Sequence, residues 1–204
     1  MRAQGENEYE WIFVVSGVAD PFDPKIEQVE AQFDCMVDCH TDITLFTLTT
    51  PGTSAFTAGV AAVHVLDATG ITVDRSYQDL VTRQDIADRA EVTRQAVGNW
   101  VRGERAGANR FPAAVSLVAG GLWLWRDVNR WLSDRGLTHD SLGHPTLDDH
   151  AHLDSWLLSR ARQRSVGAES FRDVGYIAAS SRFAARVGGA VPVDGPRFSV
   201  KIAR

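Results

Sequence analysis

Arg94, Gln95, Asn99 and Arg102 carry side chains suited to reading nucleic-acid bases, and their spacing sets them on one side of a single helix. With Gly98 they stand at i, i+1, i+4, i+5 and i+8, positions that a 3.6-residue period gathers into one exposed strip. Arginine can bond bidentately to guanine, and asparagine or glutamine to adenine. The missing side chain at Gly98 permits close approach to DNA, so the strip suits a major groove. Two short capped helices with polar outer faces also occur in ordinary helical domains. The elements that position the strip therefore decide the reading.

Those elements are legible from Thr82 to Gly103. Thr82 and Asp85 have the spacing of a capping box, in which each side chain satisfies an orphan amide at a helix start. Ile86, Ala87 and Ala90 form the apolar stripe of that first helix. A short turn through Glu91 and Val92 follows, and Thr93 is the N-cap expected for a second helix with Val97, Trp100 and Val101 on its buried side. A glycine-containing basic loop from Gly103 to Arg110 then leads into two short apolar runs, Val115–Val118 and Leu122–Trp125. They flank Ala119, Gly120 and Gly121, which predicts a β-hairpin. A third helix is expected over Trp125–Arg135, with Val128, Trp131 and Leu132 inward and Gly136 at its end.

The run DIADRAEVTRQAVGNWVRG, then RFP, the hairpin and LWLWRDVNRWL resemble the winged helix-turn-helix of excisionase-like and MerR-like bacterial DNA-binding proteins, over about residues 80–136. The resemblance implies that Ile86–Ala90 belong to a supporting helix. It assigns Thr93, Arg94, Gln95, Asn99 and Arg102 to a recognition helix, and Arg105 and Arg110 to a phosphate-contacting wing. One departure is Glu91, which stands where the usual turn has glycine and is expected to take a positive φ there.

At 204 residues and 44% hydrophobic content the chain can bury a core and is long enough for two units. The acidic start MRAQGENEYE is unlike a secretory signal, and no apolar run approaches the ~20 residues that span a bilayer. A cytoplasmic protein without membrane contact is expected. Cys35 and Cys39 read as free thiols on a strand, four residues and therefore too far apart for a disulfide. Strand alternation puts His40 on the face opposite both sulfurs, against a metal site there.

Charge is divided along the chain. Residues 1–80 hold three basic residues against thirteen acids, and residues 81–204 hold eighteen against thirteen. The first part should repel DNA, whereas the second can supply the counterion release that dominates non-specific DNA affinity. Arginine outnumbers lysine nineteen to two, which suits phosphate and guanine forks but also follows from GC-rich coding.

Upstream, YEWIFVVSGV reads as a buried strand, and Asp23-Pro24 opens a helix lined by Ile26, Val29 and Phe33. Phe33–Asp42 and Ile43–Thr50 read as strands, the second with Phe46 and Leu48 on one face. A helix from about Ser54 to Ala68 should turn Phe56, Val60 and Val63 inward and end at Gly70, before ITVDRS forms a fourth strand. The expected class is α+β. A βαββαβ unit over 1–79 resembles a ferredoxin-like sandwich, by analogy a dimerisation or sensing domain; a winged helix-turn-helix follows over 80–136, then a linker, a helix and a basic tail over 137–204.

Asp38, His40 and Asp42 alternate onto one strand face, where they can hold a divalent metal or serve as acid and base. The competing reading is a solvated sheet face, which a sheet covered by helices on one side requires. His64 fits a helix border. His139, His144, His150 and His152 lie among Asp140, Asp148, Asp149 and Asp154; Thr146 with Asp149 marks a helix start, and the histidines read as a linker and an exposed helix face. From Arg160 onward there are nine basic residues against three acids. Phe171, Val174, Ile177 and Ala178 make a short stripe there, and FSVKIA is available as an edge strand.

The expectation is a DNA-binding regulator without catalysis, cofactor or metal, with double-stranded DNA and a second copy of itself as partners and no effector indicated. The alternatives are a metal-dependent enzyme domain using Asp38, His40 and Asp42 and targeted by the helix-turn-helix, and an adaptor whose helix-turn-helix binds protein.

Overall fold

The computed structural model describes residues 7–103 and 110–164. Arg105 and the whole tail stripe from Phe171 to FSVKIA lie outside the described residues. The chain divides into Met1–Ser159 and Arg160–Arg204. Of the second unit only 160–164 are described, all helical.

The first core is built on β1 (Asn7–Ser16), whose alternation sends Trp11, Phe13 and Val15 inward and leaves Glu10, Ile12 and Val14 on the other face. It is joined by α1 (Pro24–Glu30), β2 (Cys35–Cys39), β3 (Thr44–Gly52), α2 (Ala55–Thr69) and β4 (Thr72–Ser76). The four strands form one antiparallel sheet in the order β2-β3-β1-β4. Register pairs Trp11 with Leu48 and Phe13 with Phe46, so the large inward side chains of both central strands lie side by side. Asp23 caps α1 by accepting from the Lys25 amide at 3.0 Å, with Pro24 at the first turn.

The inward face of α2 differs from the expected one. Ala55, Ala58, Gly59, Ala62, Val63 and Leu66 are buried, whereas Phe56 and Val60 are only half-buried. Small residues let this helix lie close on the sheet: a Cβ at Gly59 would stand 2.8 Å from the Trp11 ring. Phe56 is turned to the flank, where its ring meets that of His152 at 6.5 Å.

The second core starts at β5 (Leu80–Val81) and continues through α3 (Arg83–Arg89) and α4 (Arg94–Arg102) to β6 (Trp123–Leu124) and α5 (Trp125–Asp134). Its interior is Val81, Ile86, Ala87, Ala90, Val97, Trp123, Trp125, Val128, Trp131 and Leu132. The Thr82–Asp85 capping box forms, with the Thr82 amide donating to Asp85 Oδ2 at 2.8 Å. The helix α3 ends with Glu91 at φ 55°, and the Val92 amide returns to the Ala87 carbonyl at 2.9 Å. A left-handed non-glycine residue costs roughly 1–2 kcal/mol, so the surrounding packing must hold this turn. Past α5, Gly136 takes φ 64° and the Leu137 amide donates to Leu132 at 3.0 Å, as its expected terminating role requires.

The expected hairpin is shorter than its sequence suggests. Ser116 and Leu122 form a single antiparallel bridge around a 3₁₀ turn at Val118–Gly120, and Trp123–Leu124 pairs with Leu80–Val81 instead of with 115–118. Pairing with β5 buries Trp123 and Leu124, whereas Leu117 and Val118 stay exposed. That difference in burial favours β6 over a longer hairpin.

A final helix, α6 (147–164), opens as expected, with Asp149 and Thr146 capping each other. Rather than belonging to a separate tail, its Leu153 and Leu157 enter the first core. The fold is therefore mixed α+β, with the sheet's helices on one face and the second core following in sequence between β4 and α6. No described helix is long and apolar enough to cross a membrane.

Candidate nucleic-acid interface

Two helices and a turn of fixed geometry position the polar strip. Thr93 caps α4 by accepting from the Ala96 amide at 3.2 Å, and Gly103, at φ 75°, ends it. Val97 is buried, and Trp100 lies against Phe111 and Trp131 with ring centroids at 6.3 and 5.1 Å. These anchors fix the rotation of the helix about its axis. Thr93, Arg94, Gln95 and Arg102 are exposed on the opposite side and Asn99 is half-exposed. Arg110 is also exposed, at the start of the segment that leads to the 116–121 turn.

Two details were not visible in the spacing. Arg102 Nη2 donates to Asn99 Oδ1, so the two side chains are linked within the strip. Gly98 is buried rather than open: the position of a Cβ there is 3.5 Å from Arg102 Nη1, so the arginine lies over the glycine. Any close approach at Gly98 requires Arg102 to move toward the incoming group.

The arginines of α3 are engaged differently. Arg89 makes a two-point ion pair with Asp79, at 2.6 and 3.1 Å, and stands 4.7 Å from the Trp125 ring centroid. It braces the second core. Arg83 stands 5.8 Å from the Trp123 ring centroid, and its buried Nε has no hydrogen-bond partner among the described residues.

The alternative carboxylate and histidine groups do not converge. Asp38 and His40 pair at 3.1 Å, both well exposed, and Asp42 lies beyond the end of β2. Cys35 and Cys39 are free thiols; burial, with Glu30 and Asp34 nearby, pushes the Cys35 thiol up to about 11. Among the described residues no group of three or more His, Cys, Asp or Glu is arranged to hold a metal ion.

The histidines of the 137–154 segment are a correction to the sequence reading. His139 and His152 are exposed, but His150 is buried, with Nδ1 2.8 Å from Ser76 Oγ and its ring 5.1 Å from that of Trp11. The His144 side chain is also buried, 3.0 Å from Asp140 and 3.7 Å from Glu10. The cause is a backbone tie the sequence did not signal: Gly143 bonds to Glu8 and Glu10, each at 2.9 Å, and draws 142–144 onto the edge of β1. A Cβ at Gly143 would meet the Tyr9 ring at 2.6 Å, which explains the residue type. An open groove lies beside this tie, between Ile12, Met36 and Thr47 of the sheet's free face and Asp79, Arg89 and Trp125.

Burial pushes the Glu10 carboxyl up, an effect that His144 opposes, and burial pushes His150 down despite Asp154 and Asp149. A histidine depressed in the fold contributes stability above its ordinary value near 6.5 and loses it as pH falls toward the folded value. Glu10 acts oppositely, gaining stability as acid protonates it. We therefore expect thermal unfolding to show a loss of stability below about pH 6.5 that His150→Gln flattens. An unchanged slope in that variant would contradict the assignment.

Searches of known proteins found no match to this chain among family models, curated proteins or solved structures.

Proposed function

We propose that this chain is a sequence-specific DNA-binding protein of the transcriptional-regulator type. The observation that carries the reading is α4 itself: a capped helix held by Val97, Trp100 and the Glu91 turn, with Arg94, Gln95, Asn99 and Arg102 on its outward side. Residues 80–136 act as a winged helix-turn-helix of the excisionase-like and MerR-like kind, in which α3 supports and α4 enters the major groove. Arg94 and Gln95, in the first turn, approach base edges first; Asn99 follows one turn on, oriented by Arg102. Arg110 contacts phosphate. The protein binds and does not catalyse.

The order βαββαβ and the β2-β3-β1-β4 sheet support a ferredoxin-like sandwich for the first core. Its thirteen acids against three bases, over residues 1–80, suit a module turned away from DNA. We read it as a dimerisation or sensing domain of a cytoplasmic regulator. Two copies related by a twofold would reach half-sites about one helical turn, ~34 Å, apart.

The test is fluorescence anisotropy with a selection-enriched pool of duplexes, comparing the intact chain with Arg94→Ala/Asn99→Ala. Specific binding should be lost while weak salt-dependent binding remains. Retention of the same preferred sequence by the double variant would remove α4 as the reader.

A further inference from the structure

The 116–121 turn presents apolar side chains where a phosphate-contacting wing needs polar ones. Leu117 is 87% exposed and Val118 70% exposed, which leaves two large aliphatic side chains almost wholly in solvent. Contiguous exposed apolar groups on a folded domain mark contact sites. The turn is also braced. Leu122 donates to the Ser116 carbonyl at 2.8 Å, Gly121 to the Val118 carbonyl at 3.0 Å, and the Val118 amide to Ser116 Oγ at 3.3 Å. Gly121, at φ 113°, sits so close to Trp123 that a Cβ would be 2.5 Å from the indole. Leu117 and Val118 are thus held out by a turn seated on the second core.

Two further observations select the partner. The first is charge: the chain from residue 105 to 126 contains no acid and carries Arg105, Arg110 and Arg126, and Arg83 stands 5.8 Å from the indole that seats the turn. An apolar turn within an acid-free, basic stretch of chain complements a polyanion. The second is size. Stable association of two copies buries about 800 Å² per partner, far more than two aliphatic side chains at a turn can supply.

Resting on the DNA-binding reading above, we propose that the turn is a minor-groove wedge: Leu117 and Val118 enter between adjacent base pairs and unstack them, while Arg83 holds a neighbouring phosphate. Apolar side chains used in this way kink duplexes and offset the unstacking by widening the contact surface. The wedge makes binding depend on how easily the contacted step opens, with pyrimidine–purine steps favoured. Sequence preference would then extend to a step that no polar side chain touches.

The experiment uses the intact chain and a selection-enriched duplex carrying 2-aminopurine at successive positions across the footprint. Binding should raise the fluorescence at one step by unstacking it. Leu117→Ser/Val118→Ser should abolish that rise and weaken binding about tenfold, with the thermal melt and the salt dependence unchanged. Binding without a fluorescence rise at any position overturns the wedge and leaves the DNA-binding reading in place. A variant that instead lowers the sedimentation coefficient of the free protein overturns it in favour of a contact between copies. Absence of any duplex binding by the unaltered chain overturns both readings.

Discussion

Trp131→Ala is expected to destabilise the second core by about 3–5 kcal/mol, the range for deleting a buried tryptophan. Trp131 is buried on α5, with its ring centroid 5.1 Å from Trp100 and 5.0 Å from Phe111, and Arg135 lies 4.3 Å above it. Trp100 belongs to α4, so the deletion removes the surface that fixes the rotation of the candidate recognition helix. The consequence should be twofold. Chemical denaturation should show a lower midpoint, and DNA binding should fall by more than the loss of folded protein explains, because a rotated α4 cannot align Asn99 with a base edge. Trp131→Phe retains part of the packing and should recover much of both. Equal loss of stability with unaltered binding by the folded fraction would mean that α4 is held elsewhere.

The second large effect is expected at Asn99, where loss of one bidentate base contact costs ~1–3 kcal/mol on a preferred site. The structure adds a coupling: Arg102 Nη2 donates to Asn99 Oδ1, and the same arginine covers Gly98. Truncating Asn99 removes a hydrogen-bond partner of Arg102 as well as the amide, so Asn99→Ala and Arg102→Ala should not be additive on preferred duplexes. On non-preferred DNA only Arg102→Ala should weaken binding, because only the arginine carries charge.

Much of this was legible in the sequence because each signal was local. The Thr82–Asp85 box, the Thr93 cap, the Gly136 stop and the positive φ of Glu91 depend on a few adjacent residues, and the structure has them all. The element order of the first core is readable from its alternating segments, but of its strand pairings only β2–β3 follows from a short connection. What failed was non-local. Nothing near Trp123 reveals that it pairs with Leu80–Val81, and the 115–118 run looks like a strand until the exposure of Leu117 and Val118 is known. His150 reads as polar helix surface because its neighbours His152, Asp148 and Asp149 are polar; its burial depends on Trp11 and Ser76, far back in the chain. The inward face of α2 differs for another reason: the small residues Ala58, Gly59 and Ala62 let the helix lie close on the sheet, and the larger Phe56 takes the flank.

In the candidate site, the residue types and their side of the helix were readable, but the Asn99–Arg102 bond was not. It depends on rotamers that spacing does not determine.

The most direct test of the central claim is fluorescence anisotropy of the intact chain and of Asn99→Ala on the same selection-enriched duplex across a salt series. Base readout by α4 predicts a weaker variant at every salt concentration and parallel lines of log affinity against log salt, since no phosphate contact is lost. Identical affinities, or a loss equal on preferred and scrambled duplexes, would contradict it.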